Sequence, residues 1–337
     1  MQIANRNTDD KAFIIAEIGN NHEGDFGLAR DLVHQAADCG VDAVKFQTFK
    51  TDGFSSRDDE VRYQRLKGFE LTYDQFADLG NLAQSKGLAF ISTPLDMESA
   101  RFLKTEVDAI KIASSDNTFW PLIDEIADYR LPTIISTGLA GWSEIGEAVG
   151  RVRQTWRKEG VDPGLGVLHC VSAYPTPAEQ ANVRAVKELQ TVLPDCTVGY
   201  SDHTAGIDAA LVAVAVGARI IEKHFTIDHN YSEFRDHQLS ADPDEMAELI
   251  KRVRFYETLL GSGEVGMADC EREAAPQIRR SIAAARPLDA GHKISQEDIV
   301  WVRPGDGLPP GQENLVIGGT LTHAIGPGER FDLNRIN

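Results

Sequence analysis

Two lysines interrupt runs that are otherwise apolar, Lys45 in DAVKFQT and Lys111 in DAIKIAS. A buried ammonium without a partner is costly, so each calls for an anion supplied by the protein or by a ligand. Side chains alternate along a strand, so Lys45 shares a face with Gln47, and Lys111 with Ala113. With Thr93, Ser114 and Ser201, each at the C-terminal end of its own run, the lysines would compose a phosphate or carboxylate pocket. The alternative is that one lysine points outward and snorkels between helices. His203 in GYSDHT and His224 in IIEKHF end two consecutive runs and could meet on one divalent ion, with Glu17 and Glu222 at the same rim as partners or water-holders. Two imidazoles do not close a structural zinc site. They suit an exchangeable ion with free positions that can polarise a carbonyl. Asp236 and His237 are placed to meet substrate hydroxyls or to be solvated, and Tyr174 in SAYPTP either faces the pocket or packs beneath it.

These residues occupy one place in a repeating rhythm. Eight short β-branched runs, at residues 13–18, 42–48, 88–94, 108–114, 132–138, 166–172, 197–203 and 218–225, collect polar residues at their C-terminal ends, Ser136, Thr137, His169 and Ser172 among them. Between them lie amphipathic stretches such as Leu28, Leu32, Val33, Ala36 and Ala37. Strand alternating with helix argues for a parallel sheet. Right-handed crossovers would wind its eight strands into a (β/α)8 TIM barrel with its chemistry at the C-terminal face, hence an enzyme. An open doubly wound sheet is disfavoured, because the first run leads into GNNHEG rather than a Gly-rich dinucleotide turn. The charged and aromatic loop 50–70 is a lid or an exposed excursion. The rhythm stops after Gly261. Residues 266–280 read as a linker between a barrel at 1–265 and a small β-rich domain at 281–337, whose apolar runs at 281–285, 299–302, 315–317 and 321–325 are separated by turns. So short a domain buries little surface alone and is expected to pack on a barrel, its own or a partner's.

The formal charge of −18 disfavours nucleic acid. Basic residues converging on one pocket could still hold an anionic substrate. No apolar run is long enough to span a bilayer, and the N-terminus lacks the features of a signal peptide, so a cytoplasmic protein without membrane contact is expected. Cys39, Cys170, Cys196 and Cys270 are too scattered to suggest a disulfide framework or a zinc cluster. His22, His34, His229, His292 and His323 are given no role.

The segments IIAEIGNNHEGD, AVKFQT, ISTPLD, KIASSD, IISTG, LHCVSAYPTP, VGYSDHT, IEKHFT and WVRPGDG run through the whole chain. In them the chain resembles the sialic acid synthase family, transferases that make nonulosonic acids from phosphoenolpyruvate and an N-acylated hexosamine. The last domain resembles the antifreeze-like SAF domain of β-clip type, which in that family swaps over the barrel mouth of the partner in a homodimer. The resemblance implies that Lys45, Thr93, Lys111, Ser114, Ser172 and Ser201 bind phosphoenolpyruvate. It implies that His203 and His224 ligate manganese or magnesium, and that Glu17 handles protons or water, with Glu222 in the same catalytic set. Gln47, Asp116, Tyr174 and Asp236 would meet the sugar, joined by Arg303 from the partner. Asp116 stands where the family often has Glu and Ser172 where it often has Asn, and HNYSEFRDHQ replaces the usual Arg-Pro-Gly-Pro-Asp-His loop. All three departures lie on the acceptor side, so N-acetylmannosamine, 2,4-diacetamido-trideoxyhexoses, a 6-phosphate sugar or a rarer acceptor all stay open. The residues alone also leave a Schiff-base aldolase using Lys45 or Lys111, or a non-catalytic carbohydrate-binding protein.

Overall fold

A computed structural model describes residues 1–337. Met1–Gly261 and Ser262–Asn337 form two compact units. In the first, every expected run contains a strand: β1 (Phe13–Gly19), β2 (Ala43–Thr48), β3 (Ala89–Pro94), β4 (Ala109–Ile112), β5 (Thr133–Ser136), β6 (Leu165–Cys170), β7 (Thr197–Asp202) and β8 (Ile220–His224). Each pairs in parallel with its neighbour in the chain, and β8 closes on β1. The expected (β/α)8 barrel is thus the observed one.

Alternation along the strands sorts the side chains into two environments. Outward residues such as Ile14, Val44, Phe90, Ile110 and Ile221 pack with the surrounding helices. Inward residues at the lower ends, including Phe13, Ile15, Ala43, Ile91, Ala109 and Ile220, fill the barrel interior. The same inward parity continues upward from Ile15 to Glu17, from Ala43 to Lys45 and Gln47, from Ala109 to Lys111, and from Ile220 to Glu222 and His224. Register then sets His224 opposite Glu17, Glu17 opposite Lys45, and Glu222 opposite Ser201. The polar residues therefore form a layer on top of an apolar one.

The lower mouth is closed by a short hairpin of Gln2–Ile3 against Arg6–Asn7. Ile3 joins the interior cluster, and the Met1 amino group donates to Thr197 Oγ1 at 3.1 Å. No helix of the chain is long and apolar enough to cross a membrane.

In the second unit, β9 (Ser281–Ala284) pairs antiparallel with β10 (Ile299–Val302) over a core of Ile282, Leu288, Ile294, Val316, Leu321 and Phe331. The runs at 315–317 and 321–325 are not strands. A 3-10 turn at Glu313–Leu315 and the left-handed Gly318 end the first, and a bend at residues 322–323 interrupts the second, leaving isolated bridges such as Leu321 to Ile336.

Gly199 sits at an inward position of β7, where a Cβ would run into the Ile220 carbonyl on one side and the Leu168 side chain on the other. Gly199→Ala is expected to cost about 1–3 kcal/mol of stability through overpacking. A urea midpoint equal to that of the wild type would contradict this close approach.

Candidate active site

At the upper mouth the inward residues enclose a cavity of about 460 Å³, within the range of small-ligand sites. Four buried charges form its floor. Lys45 Nζ lies 2.7 Å from Glu17 Oε2, 3.8 Å from Glu222 Oε2 and 3.2 Å from Thr93 Oγ1. Lys111 Nζ lies 3.4 Å from Glu222 Oε1, which also accepts from Ser201 Oγ at 2.9 Å. Both lysines point inward, so neither snorkels between helices. Glu17 Oε1 accepts from Gln47 Nε2 at 3.2 Å, and Gln47 Oε1 accepts from Asn20 Nδ2 at 2.9 Å.

The two carboxylates are not equivalent. Burial and then the Glu222 charge outweigh the help of Lys45 and raise the Glu17 carboxyl above its ordinary value. Burial also opposes the charge on Glu222, but Lys111, Lys45 and Ser201 overcome it and hold that carboxyl down at about 2. Burial disfavours both ammoniums. At Lys45 the flanking carboxylates win and the pKa rises, whereas Lys111 falls below its ordinary value. A proton on Glu17 therefore leaves a cluster with surplus positive charge.

Beside these charges, uncommitted donors converge. The Ser136 and Ser172 hydroxyls are buried without a partner. Ser114 Oγ accepts from the Gly138 amide at 3.2 Å, and a Cβ at position 138 would collide with the Ser114 and Ser172 hydroxyls. Hydroxyl donors next to buried ammoniums, spaced by a glycine, make a receptor for an oxyanion.

The histidines line the same cavity at the ends of β7 and β8. The His203 and His224 ring centroids are 5.3 Å apart. His203 Nδ1 lies 2.8 Å from the Val171 carbonyl, so it carries the proton and leaves the Nε2 lone pair free. At His203 burial opposes the charged ring, but the Cys170 sulfur and the Val171 carbonyl raise its pKa. His224 is driven well below its ordinary value by burial and by the charges of His203 and Lys45, and its Nδ1 is buried without a partner. A pair of ring nitrogens with free lone pairs beside two carboxylates fits a divalent cation. A separate trio, His229, Asp242 and Glu245, also brings its ligand atoms within 4.8 Å of one another, but Asp242 and Glu245 form the capping box of helix Pro243–Leu260.

Of the site residues expected from the sequence, all but Asp116 and Arg303 line this cavity. The Asp116 carboxylate accepts from Ser115 Oγ at 2.7 Å, and Arg303 lines a cleft of the second unit. Tyr174 faces the cavity, its ring 4.1 Å from that of His203 and 4.5 Å from the Arg235 guanidinium. The sequence leaves His237 open between substrate hydroxyls and solvent, and it meets neither. It is instead fully buried between Glu23 Oε1 at 3.0 Å and Thr226 Oγ1 at 2.6 Å, and ties two loops together.

Other lining residues went unread in the sequence. Cys170, dismissed for its isolation, follows Leu168 on the inward face of β6 and lies 3.7 Å from His203 Nδ1. Strand parity would have found it. Residues 50–70 are not a loop but the helices Thr51–Phe54 and Glu60–Phe69, packed on Phe49 and Leu95. The second helix is capped by Asp59. It turns Arg62, Arg65, Leu66 and Phe69, the i, i+3, i+4, i+7 stripe of one face, toward the cavity.

A (β/α)8 barrel that gathers buried acid–base groups, an oxyanion receptor and ligand-ready histidines at its C-terminal mouth is an enzyme. Residues 32–265 match the NeuB family and residues 279–335 the SAF domain. The chain belongs to the NeuB family. It is 39% identical over 332 residues to the N,N'-diacetyllegionaminic acid synthase of Legionella pneumophila, covering 94% of this chain and 92% of that one. It is 32% identical over 313 residues to the N-acetylneuraminate-9-phosphate synthase of Mus musculus, covering 88% and 85%. Among solved structures, the N-acetylneuraminic acid synthetase of Leptospira borgpetersenii superposes with a TM-score of 0.75 at 35% identity, over 81% of this chain and 94% of that one.

Removing the Lys45 charge would strand Glu17 in a buried layer, while Glu222 keeps Lys111 and Ser201. Lys45→Met is expected to lose about 3–5 kcal/mol of stability at neutral pH, and less in acid as Glu17 takes a proton. Guanidinium unfolding at two pH values measures both. A loss that does not depend on pH would mean Glu17 is not the group left unpaired.

Proposed function

We propose that this enzyme condenses phosphoenolpyruvate with the open-chain form of an N-acylated amino hexose, giving a nonulosonic acid and inorganic phosphate. The observation that carries the reading is the pair of inward lysines beside uncommitted serine hydroxyls, in one cavity with two imidazoles. The names of its relatives, synthases of sialic-type acids, agree with it.

In this reading Lys45, Lys111, Thr93, Ser114, Ser172 and Ser201 hold the phosphate and carboxylate of phosphoenolpyruvate. Their part is electrostatic and positional. A divalent cation, manganese or magnesium, held by His203 and His224 would supply Lewis acidity toward a carbonyl oxygen. C3 of phosphoenolpyruvate forms a bond to the aldehyde carbon of the sugar, the aldehyde oxygen gains a proton, and the cation left at C2 is captured by water. That water gives up a proton, which balances the one gained. Glu17, with its raised pKa, suits the transfer. The hemiketal phosphate then breaks its C–O bond to release phosphate and the 2-keto acid, while Glu222, held ionised, keeps both ammoniums aimed at the leaving group.

Gln47, Tyr174 and Asp236 in the cavity, together with Asp116, are proposed to meet the sugar. Arg303 would be contributed by a second copy in a homodimer, with 281–337 acting as the swapped SAF domain, 266–280 as its linker and 1–265 as the barrel. A cytoplasmic setting belongs to the same proposal. One observation favours a Schiff-base aldolase, the lowered pKa of Lys111. Borohydride added during turnover would trap that lysine, whereas the condensation leaves nothing to trap.

Phosphate release from phosphoenolpyruvate with manganese should appear with one member of a panel of N-acetylmannosamine, its 6-phosphate and 2,4-diacetamido-trideoxyhexoses, and vanish with a chelator. Silence across the panel, or release that survives chelation, counts against the reading. Glu17→Gln is expected to lower kcat about 10²–10⁴-fold with phosphoenolpyruvate affinity kept. In the wild type, activity falls as Glu17 gains its proton, so the acid limb of kcat/KM lies above 4.5. The same limb in Glu17→Gln would assign it to another group.

A further inference from the structure

One buried ion pair outside the cavity has no part in the chemistry proposed above. Asp202 of β7 and Lys223 of β8 both have 0% exposure, and Lys223 Nζ lies 3.2 Å from Asp202 Oδ2. By strand parity both point outward, into the layer between barrel and helices. The other outward residues of these strand ends are Val198, Tyr200, Ile221 and Phe225, all members of the apolar core. In such a layer an ion pair is no more stabilising than well-packed apolar residues of similar volume. Its presence needs another reason.

The connections supply one. Asp202 and Lys223 are direct register partners across the β7–β8 ladder, and each immediately precedes a histidine of the cavity, His203 or His224. Asp202 Oδ1 accepts from the Thr204 amide at 2.9 Å and the Thr204 hydroxyl at 2.8 Å, and Lys223 Nζ also donates to the Thr204 carbonyl at 2.5 Å. The pair therefore grips the chain on both sides of His203. The His203 carbonyl is held in turn by the Thr176 amide at 2.8 Å, and the His224 carbonyl by the Ala241 amide at 2.7 Å. An apolar pair could fill the same space but could make none of these directional bonds to Thr204.

We propose that Asp202 and Lys223 are a positioning pair, which locks the ends of β7 and β8 so that His203 and His224 stand at the separation and tilt a divalent cation requires. The proposal rests on the reading that these two histidines hold the ion. Groups that orient ligands from behind typically change metal affinity about 10–100-fold when removed, and this pair acts on both ligands at once. It does not touch Lys45 or Lys111, so binding of phosphoenolpyruvate alone is outside its reach.

The test is the full-length double variant Asp202→Leu/Lys223→Met, which replaces the pair with apolar residues of similar size, measured beside the wild type and His203→Ala. Thermal unfolding without metal reports stability, and the electron paramagnetic resonance of added manganese reports affinity and ligand environment. The expected result is a Tm equal to or above that of the wild type, manganese bound about 10–100-fold more weakly with an altered spectrum, and unchanged affinity for phosphoenolpyruvate. A folded double variant that binds manganese as the wild type does, with the same spectrum, overturns the positioning role and leaves the histidine site standing. A wild type with no saturable manganese site, or one that His203→Ala leaves intact, overturns the histidine reading and the positioning role together. Should the double variant fail to fold, Thr204→Val removes the hydroxyl by which Asp202 holds the chain after His203 without stranding either charge, and the same outcomes on manganese affinity and spectrum decide.

Discussion

An ammonium can live inside a barrel only where carboxylates and hydroxyls meet it, and the upper layer of this barrel is arranged around that constraint. Lys45 is braced between Glu17 and Glu222, and Lys111 leans on Glu222 alone. The four residues come from β1, β2, β4 and β8, so the arrangement exists only when the barrel is closed and in register. The apolar layer beneath, plugged by Ile3 and sealed by Phe13 and Ile15, excludes water from below and leaves the upper mouth as the one side open to a ligand.

The asymmetry of this cluster gives the mouth its chemistry. Glu222 collects both ammoniums and the Ser201 hydroxyl and stays ionised. Glu17, with Lys45 and a neutral amide for company, is left able to exchange a proton. A carboxyl fixed as an anchor and another free to titrate, built from the same residue type, are the two roles the proposed condensation needs. The histidines follow the same logic. Val171 fixes Nδ1 as the nitrogen that carries the proton in the neutral His203 ring, and burial keeps His224 neutral.

Much of this is legible in the sequence itself. Period-two alternation in short β-branched runs specifies strands, and their polar ends specify the face that carries function, so Glu17, Lys45, Lys111, His203, Glu222 and His224 could be named together. Reading failed where a signal was local but its meaning was not. The 50–70 segment looked irregular by charge, yet Asp59 capping and the Tyr63 and Leu66 spacing make a helix once Phe49 and Leu95 are there to pack on. His237 carries the same polar promise as His203, but its loop folds it onto Glu23, a contact 214 residues distant in sequence. The hairpin at Gln2–Ile3 is too short to show a period at all. In the second unit, apolar runs at 315–317 and 321–325 mimic strands, while the left-handed Gly318 and a bend at residues 322–323 decide otherwise.

The central claim is that the two inward lysines hold an anionic substrate in a preformed site before any acceptor arrives. Calorimetric titration of phosphoenolpyruvate alone into the wild type and into Lys111→Met addresses it directly. The account predicts saturable binding to the wild type and an affinity lower by about 10–100-fold in the variant, the scale of losing a charged hydrogen-bond partner. Equal affinity in the two proteins, or no binding to either, would contradict it.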